Sequence, residues 1–311
     1  MDVPAVRPGR LIITGASGFT GRHACRHFAE RGWQVIAAGS PRSAPDFWQA
    51  LGASAGEICD LTDGRAVCDL VGKHRPDAVL HLAGQNAVEA SWRDPADTLM
   101  RNFMATVHLL EAVRRHSPHC RVVVVGSMMR PADDRLLEPE SPYAFSKALQ
   151  WMAARAWHRW HSLHVVVAEP SNLIGPGGSA GLCGKIARWA AEVEAAGGGP
   201  PFRLSSLHEK RDFLDVRDAV AAYERLLHAG QPGGVYAIES GTYRTLREVK
   251  EAFEAEACCR LDWLIGSAPA NAPVPRDTSP IRRLGWQPQI SFRQSVRDAL
   301  EEERMRRRSC G

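Results

Sequence analysis

The chain has 311 residues, of which 44% are hydrophobic and 24% are charged. This is the composition of a globular protein, so it excludes a chain that is mainly disordered. The net charge of +4 is too small to favour a nucleic acid as the partner. No apolar run approaches the roughly 18 residues of a membrane helix, and the N-terminal segment lacks the apolar stretch of a signal peptide. We therefore expect a cytoplasmic protein without a membrane partner.

The eight cysteines are spread along the chain, and no two of them have the Cys-x-x-Cys spacing of a zinc site. The histidines form no cluster that would complete such a site. We therefore expect reduced thiols and no bound metal.

Short apolar strands alternate with helical patterns in the first half of the chain. A long helix is predicted over 95–116, where apolar residues recur at three- and four-residue steps. The predicted strands lie at 11–13, 34–38, 78–82, 121–125 and 164–168, with a further short strand ending at Asp60. Continuous apolar strands that alternate with helices predict an α/β fold, a Rossmann-type doubly wound parallel sheet covered on both faces.

The pattern changes after Pro170, where glycine and proline become frequent. The later part of the chain predicts a smaller α/β lobe, with helices at about 215–229, 245–257 and 291–306. We assign to the Rossmann domain residues 1–170, with about 212–240 returning to it, and to the C-terminal lobe residues 171–211 and 241–311.

A glycine-rich turn follows the first strand and opens the first helix. Its glycines have the spacing Gly-x-x-Gly-x-x-Gly. One glycine permits the tight turn, one lets the backbone approach a pyrophosphate, and one lets the helix pack against the sheet. The helix N-terminus supplies N–H groups for the phosphates. The segment therefore predicts a dinucleotide site formed by Gly15, Ser17, Gly18, Phe19, Thr20, Gly21 and Arg22.

The end of the second strand distinguishes NAD from NADP. An NAD site has an acid there that binds the ribose 2′-hydroxyl, whereas Ser40 and Arg42 follow the strand in this chain. An arginine can pair with a 2′-phosphate that an acid would repel. NADP(H) is therefore favoured over NAD(H), with Arg22 as a further contact. Leu61 is a further predicted cofactor contact. Asp60 beside it has two open roles, as an acceptor for the adenine amino group or as a helix cap.

A helix that starts at Ser141 and Pro142 is predicted to carry Tyr143 and Lys147 on one face. A free phenol has a pKa of about 10, which a nearby ammonium lowers. A tyrosine tuned in this way can exchange a proton with a sugar or ketone oxygen during hydride transfer. Ser127 ends a strand at the edge where ligands bind in open α/β sheets, so its hydroxyl can hold the reacting oxygen. The predicted catalytic residues are Ser127, Tyr143 and Lys147.

These features together resemble the extended short-chain dehydrogenase/reductase family, which includes nucleotide-sugar epimerases, dehydratases and reductases. The resemblance covers nearly the whole chain and rests on the segments TGASGFTG, HLAGQNAVEASWRDP, SNLIGPG and RDFLDVRDAV and on the catalytic trio. It implies NAD(P) in the Rossmann domain and a nucleoside-diphosphate sugar in the cleft to the smaller lobe. Further implied cofactor contacts are Leu82, Ala83, Gly84, Tyr143 and Lys147. The implied substrate contacts are Gln85, Ser127, Asn172, Lys185 and Arg211, of which Lys185 is just as readily a solvated helix lysine.

Within the family, the segment that begins at Arg211 is most similar to GDP-4-keto-6-deoxy-mannose reductases and GDP-mannose 4,6-dehydratases. Dehydratases of the family carry an acid/base carboxylate directly after the catalytic Ser or Thr, where this chain has Met128 and Met129. Methionine cannot transfer protons, which disfavours a dehydratase.

We therefore expect an NADP(H)-dependent oxidoreductase of deoxysugar biosynthesis that reduces the C4 keto group of a GDP-4-keto-6-deoxy-hexose, with Tyr143 as the general acid. One alternative is a nucleotide-sugar 4-epimerase with tightly bound NAD. Another is a non-catalytic NADP-binding sensor or scaffold.

Two further residues stand near the expected site. Glu169 occupies a position where the family often has arginine, which either removes a positive charge or calls for a partner elsewhere. His81 ends a predicted strand, and a hydrogen-bonded strand-end histidine is its favoured role.

The family commonly dimerises through a four-helix bundle, which in this chain would use helix 95–116 and the helix of Tyr143. The second of these helices carries more large apolar side chains than one sheet face would hide. We therefore expect a homodimer whose interface includes Trp151, Met152, Trp157 and Trp160.

Overall fold

The computed structural model describes residues 8–41, 48–131, 135, 136, 138–271 and 273–310. The chain divides into two compact units. The first comprises Met1–Pro170, Val220–Ala237 and Pro280–Trp286, and the second comprises Ser171–Ala219, Ile238–Ser279 and Gln287–Gly311. None of the helices in the described part of the chain combines the length and the apolar character needed to cross a lipid bilayer.

The structure contains twelve strands and eleven α-helices within the described residues. The strands are β1 (Arg10–Thr14), β2 (Gln34–Gly39), β3 (Ala55–Ile58), β4 (Ala78–His81), β5 (Arg121–Val125), β6 (His164–Pro170), β7 (Asn172–Ile174), β8 (Phe202–Leu204), β9 (Lys210–Asp215), β10 (Val235–Ile238), β11 (Tyr243–Thr245) and β12 (Trp263–Ile265). The helices are α1 (Phe19–Glu30), α2 (Gly64–His74), α3 (Val88–Arg93), α4 (Pro95–Leu99), α5 (Ala105–His116), α6 (Pro142–His161), α7 (Leu182–Ala196), α8 (Val216–Ala229), α9 (Leu246–Glu256), α10 (Ser279–Arg283) and α11 (Phe292–Cys310).

A seven-stranded sheet with the order β3–β2–β1–β4–β5–β6–β10 forms the first unit. The pairings from β3 to β6 are all parallel. The order of the strands reverses between β1 and β4, where Thr14 and His81 are register partners at the strand ends. Ligands of doubly wound sheets bind beyond the carboxyl ends of the strands at such a switch point. The predicted fold class is confirmed.

The core of the first unit lies between the sheet and helices α2, α5 and α6. Every second residue of the central strands points into it, because side chains alternate along a strand. Its strand members include Ile12, Val79, Val122, Val124 and Val167, which are at most 2% exposed. Complete burial of an aliphatic side chain of this size contributes about 1.5–3 kcal/mol, so this layer holds the strand ends in place.

The second unit has its own core. It contains the three-stranded sheet β11–β9–β7, the two-stranded sheet β12–β8 and helices α7, α9 and α11. Ile186 of α7, Phe253 of α9 and Leu300 of α11 are fully buried in one apolar cluster with Phe213 of β9. These contacts fix β7 and β9, which carry two of the predicted substrate contacts.

Several predicted elements differ from those observed. The predicted helix over 95–116 contains a π-helical segment, Met100–Met104, between α4 and α5. The three-residue strands were not predicted, because three residues are too few to show an alternating pattern. Helix α7 was not among the predicted helices either. The segment predicted to return over 212–240 is divided, since β9 pairs with β7 and β11 in the second unit and only Val220–Ala237 belongs to the first.

The tryptophans of α6 also differ from the prediction. Trp151 is only 7% exposed and lies between Arg130 and Arg155, whose guanidinium carbons are 4.5 and 4.9 Å from its ring. Trp157 packs against the core of the first unit. Trp151 is therefore an interior residue and Trp157 is partly buried, whereas Met152 and Trp160 are exposed.

Candidate active site

The glycine turn connects β1 directly to α1. Gly15 has a φ of +67°, and a Cβ there would lie 2.8 Å from the Ala83 backbone nitrogen. A Cβ on Gly21 would lie 2.2 Å from the Gly15 carbonyl oxygen. Glycine is therefore required at both positions, at the first by conformation and at both by the close approach of backbone.

The N-terminus of α1 has the features of a phosphate site. Gly18 is the N-cap residue, no side chain of the described residues caps the helix, and the first turn holds no acid. Its free N–H groups carry the positive end of the helix dipole, which favours an anion. Arg22 adds a positive charge within the same turn. The residues present therefore fit the pyrophosphate of a dinucleotide.

Replacing Gly21 by alanine is expected to weaken NADPH binding by at least about tenfold and to lower the free energy of unfolding by about 1–3 kcal/mol, since the backbone has to move. Fluorescence titration with NADPH and urea unfolding measure the two effects. The control is Gly72→Ala on α2, where the atoms nearest to a Cβ would be those of the His116 ring, at 3.5 Å. That change should leave NADPH binding intact and stabilise the helix by about 0.5–1 kcal/mol. Equal affinities for Gly21→Ala and the unchanged protein would contradict the assignment.

The residues at the ends of β2 and β3 are only partly described. Ser40 is exposed directly after β2, and Arg42 lies outside the described residues. The Asp60 carboxylate accepts hydrogen bonds from the backbone nitrogen and the hydroxyl of Thr62, at 3.0 and 2.8 Å. The alternative that Asp60 caps a helix is wrong, because Asp63 caps α2 by accepting from the first-turn amides. Leu61 packs against the core of the first unit.

The segment after β4 is held by Asn102 of the π-helical segment. The Gln85 nitrogen donates to Asn102 Oδ1 at 2.7 Å, and Asn102 Nδ2 donates to the Gln85 carbonyl at 3.0 Å. A Cβ on Gly84 would also meet Asn102 Oδ1 at 2.7 Å. The Gln85 side chain, a predicted substrate contact, donates within its own loop to the Ala87 carbonyl at 2.9 Å. The two hydrogen bonds with Asn102 hold the backbone at Gln85, at the end of the segment Leu82–Gln85 where the cofactor is expected.

Asn102 is a residue that the sequence analysis missed. It is fully buried in a helical stretch whose buried residues are mostly apolar, and it also donates to the Ser146 hydroxyl at 2.8 Å. In the sequence, Asn102 could have been found as a polar residue among the apolar residues of the predicted helix over 95–116. The π-helical segment is in keeping with a functional role, since such insertions are frequent at functional sites.

The predicted catalytic residues lie together in the first unit. Ser127, Tyr143 and Lys147 are all buried. The Ser141 side chain caps α6, as predicted, by accepting from the Ala144 nitrogen at 3.1 Å. The Lys147 ammonium lies 5.9 Å from the centroid of the Tyr143 ring. The helix start thus places the phenol and the ammonium on one face beside the end of β5.

Burial governs the protonation of both groups. It raises the pKa of Tyr143, and the hydrogen bond with Ser127 opposes that rise. It lowers the pKa of Lys147 to about 8. The Lys147 ammonium donates to the Val125 carbonyl and the Gln150 amide oxygen, at 3.2 and 2.9 Å. That Lys147 tunes the pKa of Tyr143 stays a prediction.

The predicted substrate contacts Asn172, Lys185 and Arg211 lie in the second unit. Asn172 on β7 donates through Nδ2 to the Asp212 carbonyl at 2.9 Å. The Arg211 guanidinium donates to Glu209 at 2.7 Å. The positive charge of Arg211 also opposes the rise that burial causes in the pKa of the Cys183 thiol. Lys185 is exposed on the same helix.

The buried Asp212 carboxylate, which the sequence analysis did not single out, organises this part of the second unit. It accepts from the Ser171 and Ser240 hydroxyls at 2.5 and 2.6 Å, and from the backbone nitrogens of Ser240, Gly241 and Thr242. A carboxylate with this many donors fixes the strand on which its neighbour Arg211 lies.

Comparison with known proteins identifies the family. Residues 11–238 match the NAD dependent epimerase/dehydratase family. The chain belongs to this family. The predictions of the family and of an enzyme of the short-chain dehydrogenase/reductase type are confirmed.

Two curated members of the epimerase/dehydratase family align with most of this chain. GDP-6-deoxy-D-mannose reductase of Pseudomonas aeruginosa is 32% identical over 94% of this chain and 96% of that protein. A dTDP-glucose 4,6-dehydratase of Streptomyces niveus is 31% identical over 79% of this chain and 74% of that protein.

Solved structures of family members share the fold. The structure of RMD from Pseudomonas aeruginosa complexed with NADPH has a TM-score of 0.78 at 29% identity, covering 96% of this chain and 99% of that chain. UDP-glucose 4-epimerase of Thermus thermophilus has a TM-score of 0.81 at 23% identity, covering 95% and 99%, which shows the fold alone.

Within this epimerase/dehydratase fold, a buried ion pair lies close in sequence to Ser127, the predicted catalytic serine. Arg130 follows Ser127 by three residues and pairs through Nε with Glu169 at the end of β6. The two side chains are 7% and 3% exposed. The expected partner of Glu169 is thus Arg130, which also donates to the Pro131 carbonyl at 2.9 Å and stacks on Trp151. The pair anchors the segment in which Met129 donates through its backbone to Ser127 Oγ at 3.1 Å.

Proposed function

We propose that this protein is an NADP(H)-dependent reductase acting on the C4 keto group of a GDP-4-keto-6-deoxy-hexose. The observation that carries the proposal is the group of buried side chains Ser127, Tyr143 and Lys147, in which the ammonium lies 5.9 Å from the centroid of the phenol ring. Directly after the serine, Met128 and Met129 stand where a dehydratase has a carboxylate. Elimination of water requires an acid or base that methionine cannot provide. Similarity to GDP-6-deoxy-D-mannose reductase over nearly the full length of both chains supports the substrate class.

The residues of the site act on the keto oxygen. When bound, the nicotinamide supplies the hydride. Ser127 donates a hydrogen bond that orients the oxygen, and Tyr143 gives it a proton as negative charge develops. Because burial raises the pKa of Tyr143, the phenol holds its proton at neutral pH and is suited to act as an acid. Lys147, with a pKa of about 8, is mostly protonated at pH 7 and stabilises that charge.

NADP(H) is the proposed cofactor in preference to NAD(H). The strand β2 ends at Gly39, and the residues that follow it, Ser40 to Arg42, include no acid that would repel a 2′-phosphate. Arg22 in the first turn of α1 supplies positive charge. The similar RMD structure was solved with NADPH, which supports the same preference.

The second unit is proposed to bind the nucleotide part of the substrate. Asn172 and Arg211 are the proposed diphosphate contacts, and Lys185 adds positive charge. Arg211 Nη2 lies 2.5 Å from Glu209 Oε1. A bound phosphate would therefore replace the Glu209 carboxylate as the partner of the guanidinium.

A homodimer through the α4–α6 region is proposed as well. Met152 and Trp160 of α6 are 37% and 66% exposed, and Trp92 of α3 is 63% exposed. Large apolar side chains exposed on α6 and on the neighbouring part of the chain support an interface. Light scattering is expected to give twice the chain mass for the unchanged protein and the chain mass for Trp160→Glu combined with Met152→Glu. A single chain mass for the unchanged protein would contradict the dimer.

The proposal is tested by following NADPH absorbance when the protein meets GDP-4-keto-6-deoxy-mannose, with NADH in a parallel reaction. We expect one NADPH consumed per sugar reduced and a lower rate with NADH. Interconversion of nucleotide sugars without net consumption of cofactor would overturn the reductase in favour of an epimerase. Tight NADPH binding without turnover of any nucleotide sugar would favour a non-catalytic role.

A further inference from the structure

A chain of buried polar side chains crosses the first unit and ends at Lys147. It joins Thr14 at the end of β1, His81 at the end of β4, Thr106 on α5, and Gln150 with Lys147 on α6. The first four are fully buried and the last is 3% exposed. The successive contacts measure 2.8, 3.0, 2.9 and 2.9 Å. Four separate elements therefore meet in one continuous hydrogen-bonded chain.

The hydrogen bonds of Thr106 set the direction of the whole chain. Its hydroxyl donates to the Asn102 carbonyl at 2.7 Å, so the oxygen can only accept from its other neighbours. Those neighbours are Gln150 Nε2 and His81 Nε2. His81 consequently carries its proton on Nε2 and accepts through Nδ1.

The other end of the chain agrees with this tautomer. The Thr14 hydroxyl donates to His81 Nδ1, and its oxygen accepts from the Ala83 nitrogen at 3.2 Å. Burial, together with the positive charge of Lys147, lowers the pKa of His81 to about 3. The imidazole is therefore neutral at any pH at which the protein works, and the direction of the chain does not change with pH.

Gln150 is oriented from both sides. Its Nε2 donates to Thr106 and its Oε1 accepts from the Lys147 ammonium. A flipped amide would present N–H groups to the ammonium and an oxygen to a hydroxyl that already donates elsewhere. The amide oxygen is thereby held toward Lys147.

The Gln150 amide oxygen is one of the few groups that compensate the buried charge of Lys147. Within the described residues the two acceptors of its ammonium are the Val125 carbonyl and the Gln150 amide oxygen, and neither carries a charge. The titratable groups that face it are Tyr143 on its own helix and His81 of β4, while α5 presents the neutral Thr106. A buried ammonium without a carboxylate depends on such neutral acceptors.

We infer that Gln150 is a positioning residue for Lys147, with Thr106 and the neutral His81 fixing the orientation of its amide. The inference rests on the proposed function only for its rate measurement. Two changes shift the protonation of Lys147 in opposite directions. Gln150→Glu places a carboxylate beside the ammonium and raises the pKa of Lys147, whereas Thr106→Val releases the amide and lowers it.

The rate of NADPH oxidation and the affinity for NADPH should both fall as pH rises through about 8, the pKa of Lys147, because the ammonium is the active form. In Gln150→Glu this fall should move upward by at least about one pH unit, and in Thr106→Val it should move downward. Thr106→Ser keeps the hydroxyl and should restore the original profile. Gln34→Glu makes the same chemical change at an exposed position and should have no effect.

Unfolding of the protein without cofactor gives an independent measurement. Between the folded pKa of about 8 and the ordinary 10.5, the unfolded chain binds more protons at Lys147, so this group makes the protein more stable as pH rises. Gln150→Glu brings the pKa of Lys147 in the folded protein toward its ordinary value. The melting temperature of this variant should therefore rise less with pH than that of Gln34→Glu.

Superimposed pH profiles for the unchanged protein, Gln150→Glu and Thr106→Val would overturn the inference. A purely structural role would lower the melting temperature of the variants without moving the profiles. If the unchanged protein binds NADPH but reduces no GDP-sugar, the proposed function fails, and the pH dependence of NADPH affinity and of unfolding still decides the role of Gln150.

Discussion

Replacing Tyr143 by phenylalanine is expected to lower kcat for the reduction by about 10²–10⁴-fold. The phenol is buried in the same group as Ser127, and the centroid of its ring lies 5.9 Å from the Lys147 ammonium. Phenylalanine keeps the ring and its packing but has no proton to give. NADPH affinity should change little, and the lost hydrogen bond should cost about 1 kcal/mol of stability. Steady-state NADPH oxidation measures the effect.

Tyr223→Phe is a matched control for this experiment. Tyr223 of α8 is fully buried, and its hydroxyl has no hydrogen-bond partner among the described residues. Removing that hydroxyl should leave kcat unchanged and should not destabilise the protein, because an unpaired buried polar group is itself unfavourable. A Tyr143→Phe variant with kcat within tenfold of the unchanged protein would rule out Tyr143 as the general acid.

Replacing Glu169 by glutamine is expected to lower the free energy of unfolding by about 3–5 kcal/mol. The change leaves the Arg130 guanidinium buried without its charged partner, and such a charge is costly in a poorly solvated place. The contacts of Arg130 with Trp151 and with the Pro131 carbonyl remain, so the lower end of the range is expected. Urea unfolding followed by tryptophan fluorescence measures the loss.

Two comparisons make the Glu169 result specific. Asp262→Asn breaks an ion pair whose members, Arg260 and Asp262, are 91% and 65% exposed, and it should cost less than about 1 kcal/mol. The double change Arg130→Leu with Glu169→Leu removes both charges and should cost less than Glu169→Gln alone. A loss for Glu169→Gln as small as that for Asp262→Asn would show that the buried pair does not anchor the segment after Ser127.

Local sequence patterns determined the first half of the molecule. Apolar strands such as Val122–Val124 are buried on both faces, so they are continuous in the sequence and were predicted within a residue or two. Three glycines after β1 and the Ser-Pro start of α6 are short-range features, and each acts through the residues next to it. For this reason the fold class, the family and the set of Ser127, Tyr143 and Lys147 as candidates followed from the sequence.

The tertiary structure decided how these groups are surrounded. The pairing of Arg130 with Glu169 joins residues 39 positions apart, and the chain from Thr14 to Lys147 joins four elements. The rise in the pKa of Tyr143 results from burial, which spacing along the chain does not reveal. The short strands of the second unit are likewise set by packing with distant segments. Sequence patterns report on neighbours along the chain, whereas burial, charge pairing and hydrogen-bond direction depend on neighbours that only the folded chain brings together.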